Sequence, residues 1–401
     1  RWQGLNPDLI LDEVQLLDRQ GLAAFSLKRV ESVLSWESLF RLQPILSLLA
    51  LEGPVLHVRR DPNGRLSVAG LAAEGESDPA LLDWVLAQHR IRIRDARIVW
   101  EDRFRQAPPL ALSDLHFALD NHGRRHRFGL TATPPADLAA RIELRGEVKG
   151  DLNEVLDDLA GKVYVELDYA DLAGWRAWVD YPVNLPQGRG AVRVWGNLAE
   201  GQRGQVTADL ALEAVRVRLG EKLPELDLAS LLGRLEGKYQ PGQWSVAARK
   251  LELLTRDGTR VAPTDFQVEW RDNAQTGEVS GNVAASFLDL GVLAGLSAYL
   301  PLDARSRGLL ADFRPQGRIT ELRASWGLQG EQLKRYALKA GFAGLGIEAN
   351  GYVPGASGLA GKIDFTDKGG DLTLDAGQSG LALPAVFPEP DIELDSLKAW
   401  L

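Results

Sequence analysis

The chain has 401 residues, no cysteine, no methionine and a formal net charge of −9. That length allows two or three compact domains or one large elongated one. The missing cysteines exclude a disulfide scaffold and a thiolate metal centre, and the acidic balance argues against a nucleic-acid partner. Without a start methionine, the chain is expected to be a fragment or a processed product.

The first strand candidate carries apolar residues at Leu9 and Leu11, then at Val14 and Leu16. Its two-residue alternation changes parity across Asp12-Glu13. Residues 35–42 (SWESLFRL) read as a short helix. The most apolar stretch, 42–56, is broken by Gln43, Pro44, Ser47 and Glu52, well short of the ~20 apolar residues of a membrane-crossing helix. "DPNG" at 61–64 is a turn and lacks the later oxygen ligands of a calcium loop. Residues 78–89 (DPALLDWVLAQH) read as a helix, with Asp78 as N-cap and Pro79 in the first helical position.

"IRIRDARIVWED" (91–102) repeats the change of parity. Ile91 and Ile93 share one parity; Ala96, Ile98 and Trp100 share the other, with the slip at Asp95. Leu110 and Leu112 likewise give way to Leu115 and Phe117 across Ser113-Asp114. "DNHG" (120–123) supplies a hairpin turn. It overlaps "HGRRH", whose His122 and His126 have the spacing of a helical metal pair. Asn121 and Gly123 make that segment a turn, so no metal ligands are expected here. Residues 140–148 and 162–168 alternate without a slip. Ile142 and Leu144, and then Val163, Val165 and Leu167, lie on one side, with Arg145, Tyr164 and Glu166 on the other.

A helix opening on Asp171 covers 171–179, and Val192 and Val194 follow in a strand. Further slips carry Leu210 and Leu212 to Val215 and Val217, Val246 and Ala248 to Leu251 and Leu253, and Ile319 to Leu322. Helices are expected over 289–300 and 395–401. A weak internal repeat links "DLAGW" and "PQGRGAVRVWG" in 171–196 with "VLAGL" and "PQGRITELRASWG" in 292–327. Its spacing is too long for a β-helix or a propeller.

Runs of period two joined by short turns are antiparallel neighbours. A parity slip turns the apolar residues of a flat strand to the opposite face, and one extra residue in a β-bulge restores the face while bending the strand. The reading is therefore mainly β: a long, curved antiparallel sheet forming an open elongated groove, with a few short helices. The alternative is a set of tight corners between short strands packed as a sandwich. An open apolar face marks an interaction site.

"WQGLNPDLILDEVQLLD" (2–18), "FSLKRVESVLSWESLFRLQPILSLLALEGPVLHVRRDPNGRLSVAG" (25–70), "IRIRDARIVWEDRFRQAPPLALSDLHFAL" (91–119) and "HRFGLTATPP" (126–135) resemble the N-terminal periplasmic segment of AsmA-like proteins, in the YhdP branch. The likeness loosens beyond about residue 200. It implies a bridge-like lipid carrier of Gram-negative bacteria, similar to eukaryotic bridge proteins built of repeating β-groove units. Its expected parts are a groove segment over 1–150 and two groove repeats with helical inserts over 151–280 and 281–401. The implied partners are phospholipid, the inner membrane through an N-terminal helix outside this chain, and the outer membrane or its proteins. No cofactor and no catalytic residue is implied. The expected groove-lining residues are Leu9, Leu11, Val14 and Leu16; Ile91, Ile93, Ile98 and Trp100; Leu115 and Phe117; Ile142 and Leu144; Val163, Val165 and Leu167; Val192 and Val194; and Leu210, Leu212, Val215 and Val217.

Two other functions stay open. A TamB-like helper in outer-membrane protein assembly would use sheet edges for strand pairing. A secreted glycan-processing enzyme would need a carboxylate pair in a cleft, and none can be singled out. There is also no Gly-rich phosphate loop and no nucleophile elbow.

Overall fold

The computed structural model describes residues 2–3, 6–17, 23–38, 44–64, 66–68, 84, 87–150, 160–199, 203–330, 332–386 and 391–400. Most of the helix expected at 78–89, and residues 39–42 of the one expected at 35–42, lie outside these. By contacts the chain divides into two units, residues 1–181 with 189–206, and residues 182–188 with 207–401.

Unit 1 contains β1 (Trp2–Gln3), β2 (Asn6–Leu17), β3 (Ala23–Leu34), β4 (Leu46–Glu52), β5 (Val55–Arg60), β6 (Leu66–Val68), β7 (Arg90–Asp102), β8 (Leu110–His122), β9 (Arg125–Thr133), β10 (Ile142–Lys149) and β11 (Ala160–Asp171). Helix α1 (Leu172–Trp175) and most of β12 (Asn184–Ala199) follow. From β7 to β12 each strand pairs antiparallel with the next. The meander is interrupted once: β4 and β5 lie one after the other along β7, both parallel to it. Parallel pairing needs a long connection between the strands, and residues 61–89 separate β5 from β7 in sequence.

Unit 2 contains most of β13 (Arg203–Arg218), then β14 (Leu226–Gln240), β15 (Gln243–Thr255), β16 (Arg260–Asn273) and β17 (Glu278–Asp289). Helices α2 (Leu290–Leu296) and α3 (Ala304–Phe313) come next. The remaining strands are β18 (Gln316–Gln329), β19 (Gln332–Ile347), β20 (Gly355–Thr366), β21 (Gly369–Ala376), β22 (Ser379–Ala382), β23 (Asp391–Leu394) and β24 (Leu397–Trp400). Strands β14 to β21 form an antiparallel series. The helix expected at 395–401 is strand β24, paired with β21 from Thr373↔Trp400 to Ala376↔Leu397. A seven-residue segment is too short to hold a helix by itself, and the free edge of β21 satisfies its backbone instead. The sequence reading also missed α3, whose Asp303 N-cap accepts from the Ser306 amide at 2.9 Å.

The parity slips have one backbone origin. Among the described residues, six of the eight non-glycine positions with positive φ are Glu13 (52°), Asp95 (52°), Asp114 (47°), Ala214 (49°), Lys250 (49°) and Glu321 (52°). Each stands at a slip. At Asp95, Asp114, Lys250 and Glu321 the ladder shifts register: Ile93↔Phe117 is followed by Ala96↔Leu115, and Ala248↔Phe266 by Leu251↔Thr264. One strand thus carries one more residue than its partner, the definition of a bulge. At Glu13 the same φ occurs with no register shift there.

The left-handed conformation costs a residue with a Cβ roughly 1–2 kcal/mol, and glycine avoids that cost. Glu321 is exposed, and its side chain makes no hydrogen bond or ion pair with a described residue. We expect Glu321→Gly to stabilise the chain by up to about 1 kcal/mol, after allowance for glycine's larger unfolded-state entropy. Thermal melting should show a rise of roughly 2 °C; a fall would mean that the Glu321 side chain holds the bulge.

The internal repeat is present in the backbone. Asp171 and Asp289 each end a strand and cap a helix, accepting from the Gly174 and Val292 amides, both at 3.1 Å. Each also faces an arginine of the following Pro-Gln-Gly-Arg strand, Asp171↔Arg189 and Asp289↔Arg318.

Candidate functional site

The register of unit 1 places nine apolar side chains in one row, one from each of nine strands. Leu11 faces Val30, Val30 faces Leu51, and Leu51 faces Ile93. The row continues through Phe117, Leu130, Leu144 and Val165 to Val194. Cross-strand partners share a face, so the row runs straight across the sheet. None of the nine is fully buried, and Leu11 is 44% exposed.

The other named residues of unit 1 flank this row. Ile142, Leu167 and Val192 pair in one neighbouring row with Ala132, and Val163 stands opposite Gly146 and Gly196 in the other. Gly146 is needed there: a Cβ would meet the Phe128 ring at 2.4 Å. Leu115 is buried at 1% exposure in a cluster with Ala96 and Ala132, with Ile93, Ile98 and Phe117 packed against it. Ile91 and Val192 are also buried, Trp100 faces Leu110 half-buried, Val14 is half-buried and Leu9 is 52% exposed. The Leu16 side chain lies outside the described set. On β13, Leu212, Val215 and Val217 are buried and Leu210 is half-buried.

Unit 2 carries an equivalent row that the sequence reading did not assemble: Val246, Val268, Val283, Ala324, Leu338 and Phe365. Val246 is 51% exposed and the others half-buried. Two residues along each strand, on the same face, lies an aromatic row: Tyr239, Trp244, Trp270, Trp326 and Tyr336, with Gly281 between the last two tryptophans. Trp244 stacks on Trp270 with centroids 6.4 Å apart, and Trp326 meets Trp270 edge-on at 6.5 Å. A Cβ at Gly281 would sit 2.2 Å from the Trp326 ring, so only glycine lets that ring lie across the strand. Such rings join an apolar body to a polar N–H, as suits a boundary between apolar and wet surface. The alternation of "FQVEW" (266–270) was the available signal; the missing information was which residues stand opposite it.

The repeated Trp-Gly pairs diverge. Trp195 pairs with Tyr164, centroids 5.3 Å apart, on the face opposite Val165 and Val194, whereas Trp326 shares the apolar face with Ala324. A bulge at Glu321 in β18 lies between Arg318 and Trp326.

Cross-strand ion pairs cover the polar face. Arg125 and Arg127 hold the Glu147 carboxyl below the usual carboxylate range. Tyr164 and then Arg193 do so for Glu166, and Arg105 for Asp180. A lowered folded pKa contributes stability that is complete above the unfolded value, near 4, and is lost as pH falls through the folded value. The melting temperature should therefore be flat between about pH 7 and 5 and fall below about pH 4; a fall beginning near pH 6 would assign the acid sensitivity to histidine instead.

His122 pairs with Arg125 across a two-residue hairpin loop, His126 follows on β9, and neither histidine is on a helix. His126 is buried, with Nδ1 2.8 Å from Asn121 Oδ1. Among the described residues no three His, Cys, Asp or Glu side chains group to hold a metal ion, and no helix is long and apolar enough to cross a membrane.

In each unit, a mostly antiparallel sheet with a row of part-exposed apolar side chains on one face defines a groove-like β protein. Within that class, the chain belongs to the YhdP protein family, whose profile matches residues 1–401. The resemblance first seen in the opening segments therefore extends over the whole chain. No curated protein and no solved structure is significantly similar to it.

Proposed function

We propose that this chain is a periplasmic segment of a bridge-like lipid transfer protein, carrying phospholipid between the inner and outer membranes along its apolar face. The observation that carries the reading is the row from Leu11 to Val194, nine apolar residues in register, none of them sealed in a core. At ~0.8 kcal/mol per methylene, exposing roughly thirty methylenes of two acyl chains to water costs on the order of 25 kcal/mol. An apolar face open along one side removes most of that cost while the polar head stays in water. Such a task needs no catalytic group.

In this reading the inner-membrane anchor lies outside the chain, and the outer membrane or its proteins receive the lipid. Membership of the YhdP family supports it. The test is native extraction of the chain, followed by mass spectrometry of co-purifying lipid. Phospholipid at near-stoichiometric amounts is expected; lipid-free protein that also fails to take up phospholipid from vesicles would refute the proposal. Crosslinks from a sheet edge to a client strand would point to assembly of outer-membrane proteins instead.

A further inference from the structure

The polar face of unit 1 holds a depression of about 370 Å³ over β7 to β10. Its polar side chains come from rows opposite the apolar one, and Ile93, Phe117, Leu130 and Leu144 of the apolar row also line it. In the first, Arg92 on β7 is followed by Ala118, Gly129 and then Arg145 on β10. In the second, His116 is followed by Thr131 and, on β10, by the Glu143 carboxylate; Arg94 on β7 and Arg141, two residues before Glu143, also line the depression. Neighbouring strands lie about 4.8 Å apart, so the outer pair stands about 14 Å apart. Long guanidinium side chains rise on both outer strands, and Ala118, Gly129 and Thr131 keep the floor between them low.

Two of the four arginines already have carboxylate partners: Arg92 bonds Asp120 at 2.6 Å and Arg145 pairs with Glu143. His116 Nε2 lies 3.6 Å from Asp95. Arg94 and Arg141 make no ion pair or side-chain hydrogen bond with a described residue, although Glu52 is the cross-strand neighbour of Arg94. Two guanidinium groups without a carboxylate partner thus line one shallow depression. Arginine forks match the oxygens of phosphate and carboxylate.

We infer that this depression, whose lining includes Gly129, is an oxyanion site that takes a phosphate group held by Arg94 and Arg141. The phosphate could belong to a lipid head group or to a free phosphate ester. The inference does not rest on the lipid path, because the polar side chains of the site lie opposite the apolar row.

The test is calorimetric titration of the 401-residue chain with inorganic pyrophosphate at low salt, beside co-flotation with phosphatidylglycerol and phosphatidylcholine vesicles. Arg94→Gln and Arg141→Gln should each weaken binding by about tenfold, as expected for one charge-assisted contact. Gly129→Val changes no charge. A Cβ there meets nothing within 4 Å, so the variant should keep the wild-type melting temperature while its side chain fills the floor and weakens binding by a similar factor. Pyrophosphate binding that responds in this way supports the site with a soluble ligand. Selective flotation with phosphatidylglycerol that is lost in the same variants supports it with a lipid head group. A wild-type chain that binds neither, or variants that bind as wild type does, would overturn the inference.

Discussion

Val165→Asp should abolish lipid binding and leave the chain folded. Val165 sits inside the nine-residue row, between Leu144 and Val194, and it is only half-buried. In lipid-free protein the new carboxylate can remain hydrated, so the fold survives. Acyl chains along the row would strip that water, and an unpaired charge among them costs several kcal/mol, enough to reduce occupancy by more than a hundredfold. Tyr164→Asp is the matched control on the opposite face. It should bind lipid normally, with some loss of stability, because Tyr164 donates a hydrogen bond to Glu166 at 2.7 Å and packs on Trp195. Lipid mass spectrometry and thermal melting of both purified variants decide the matter. A folded Val165→Asp protein with normal lipid would exclude this face as the conduit, and one that cannot fold would show a closed core.

Leu115→Asp should have the opposite outcome: unit 1 loses its fold whether or not lipid is present. Leu115 is 1% exposed, packed with Ala96 and Ala132. A carboxylate there has neither water nor a partner, and the several-kcal/mol penalty consumes much of a domain's typical ~5–15 kcal/mol of stability. Leu115→Ala, which only removes volume, should cost about 2–5 kcal/mol. Circular dichroism and thermal melting read both variants; a Leu115→Asp chain that melts like wild type would show that water reaches this position. Val165 and Leu115 are both apolar positions beside a polar parity partner, so the contrast between them depends on place in the sheet rather than on residue type.

Strand identity and bulge position were legible in local pattern, because both are properties of a few adjacent residues. Alternation of two reports a strand, and an extra residue leaves its mark as a break in that alternation. Asp95, Asp114, Lys250 and Glu321 were locatable for that reason, and their positive φ is the backbone form of the same fact. The Asp caps at 171 and 289 were equally local.

Register was not local. Which residue stands across from Ile93 depends on turn lengths and on every bulge between neighbouring strands, and a shift of one residue exchanges the two faces. Val30, Leu51 and Leu130 therefore joined the row only in three dimensions, as did the aromatic row from Tyr239 to Tyr336. The parallel docking of β4 and β5 on β7 and the extended form of residues 397–400 were decided in the same way. Backbone hydrogen bonds to a distant strand outweighed the local preference, because an unpaired edge leaves N–H and C=O groups to be satisfied and a short segment has little helical stability of its own.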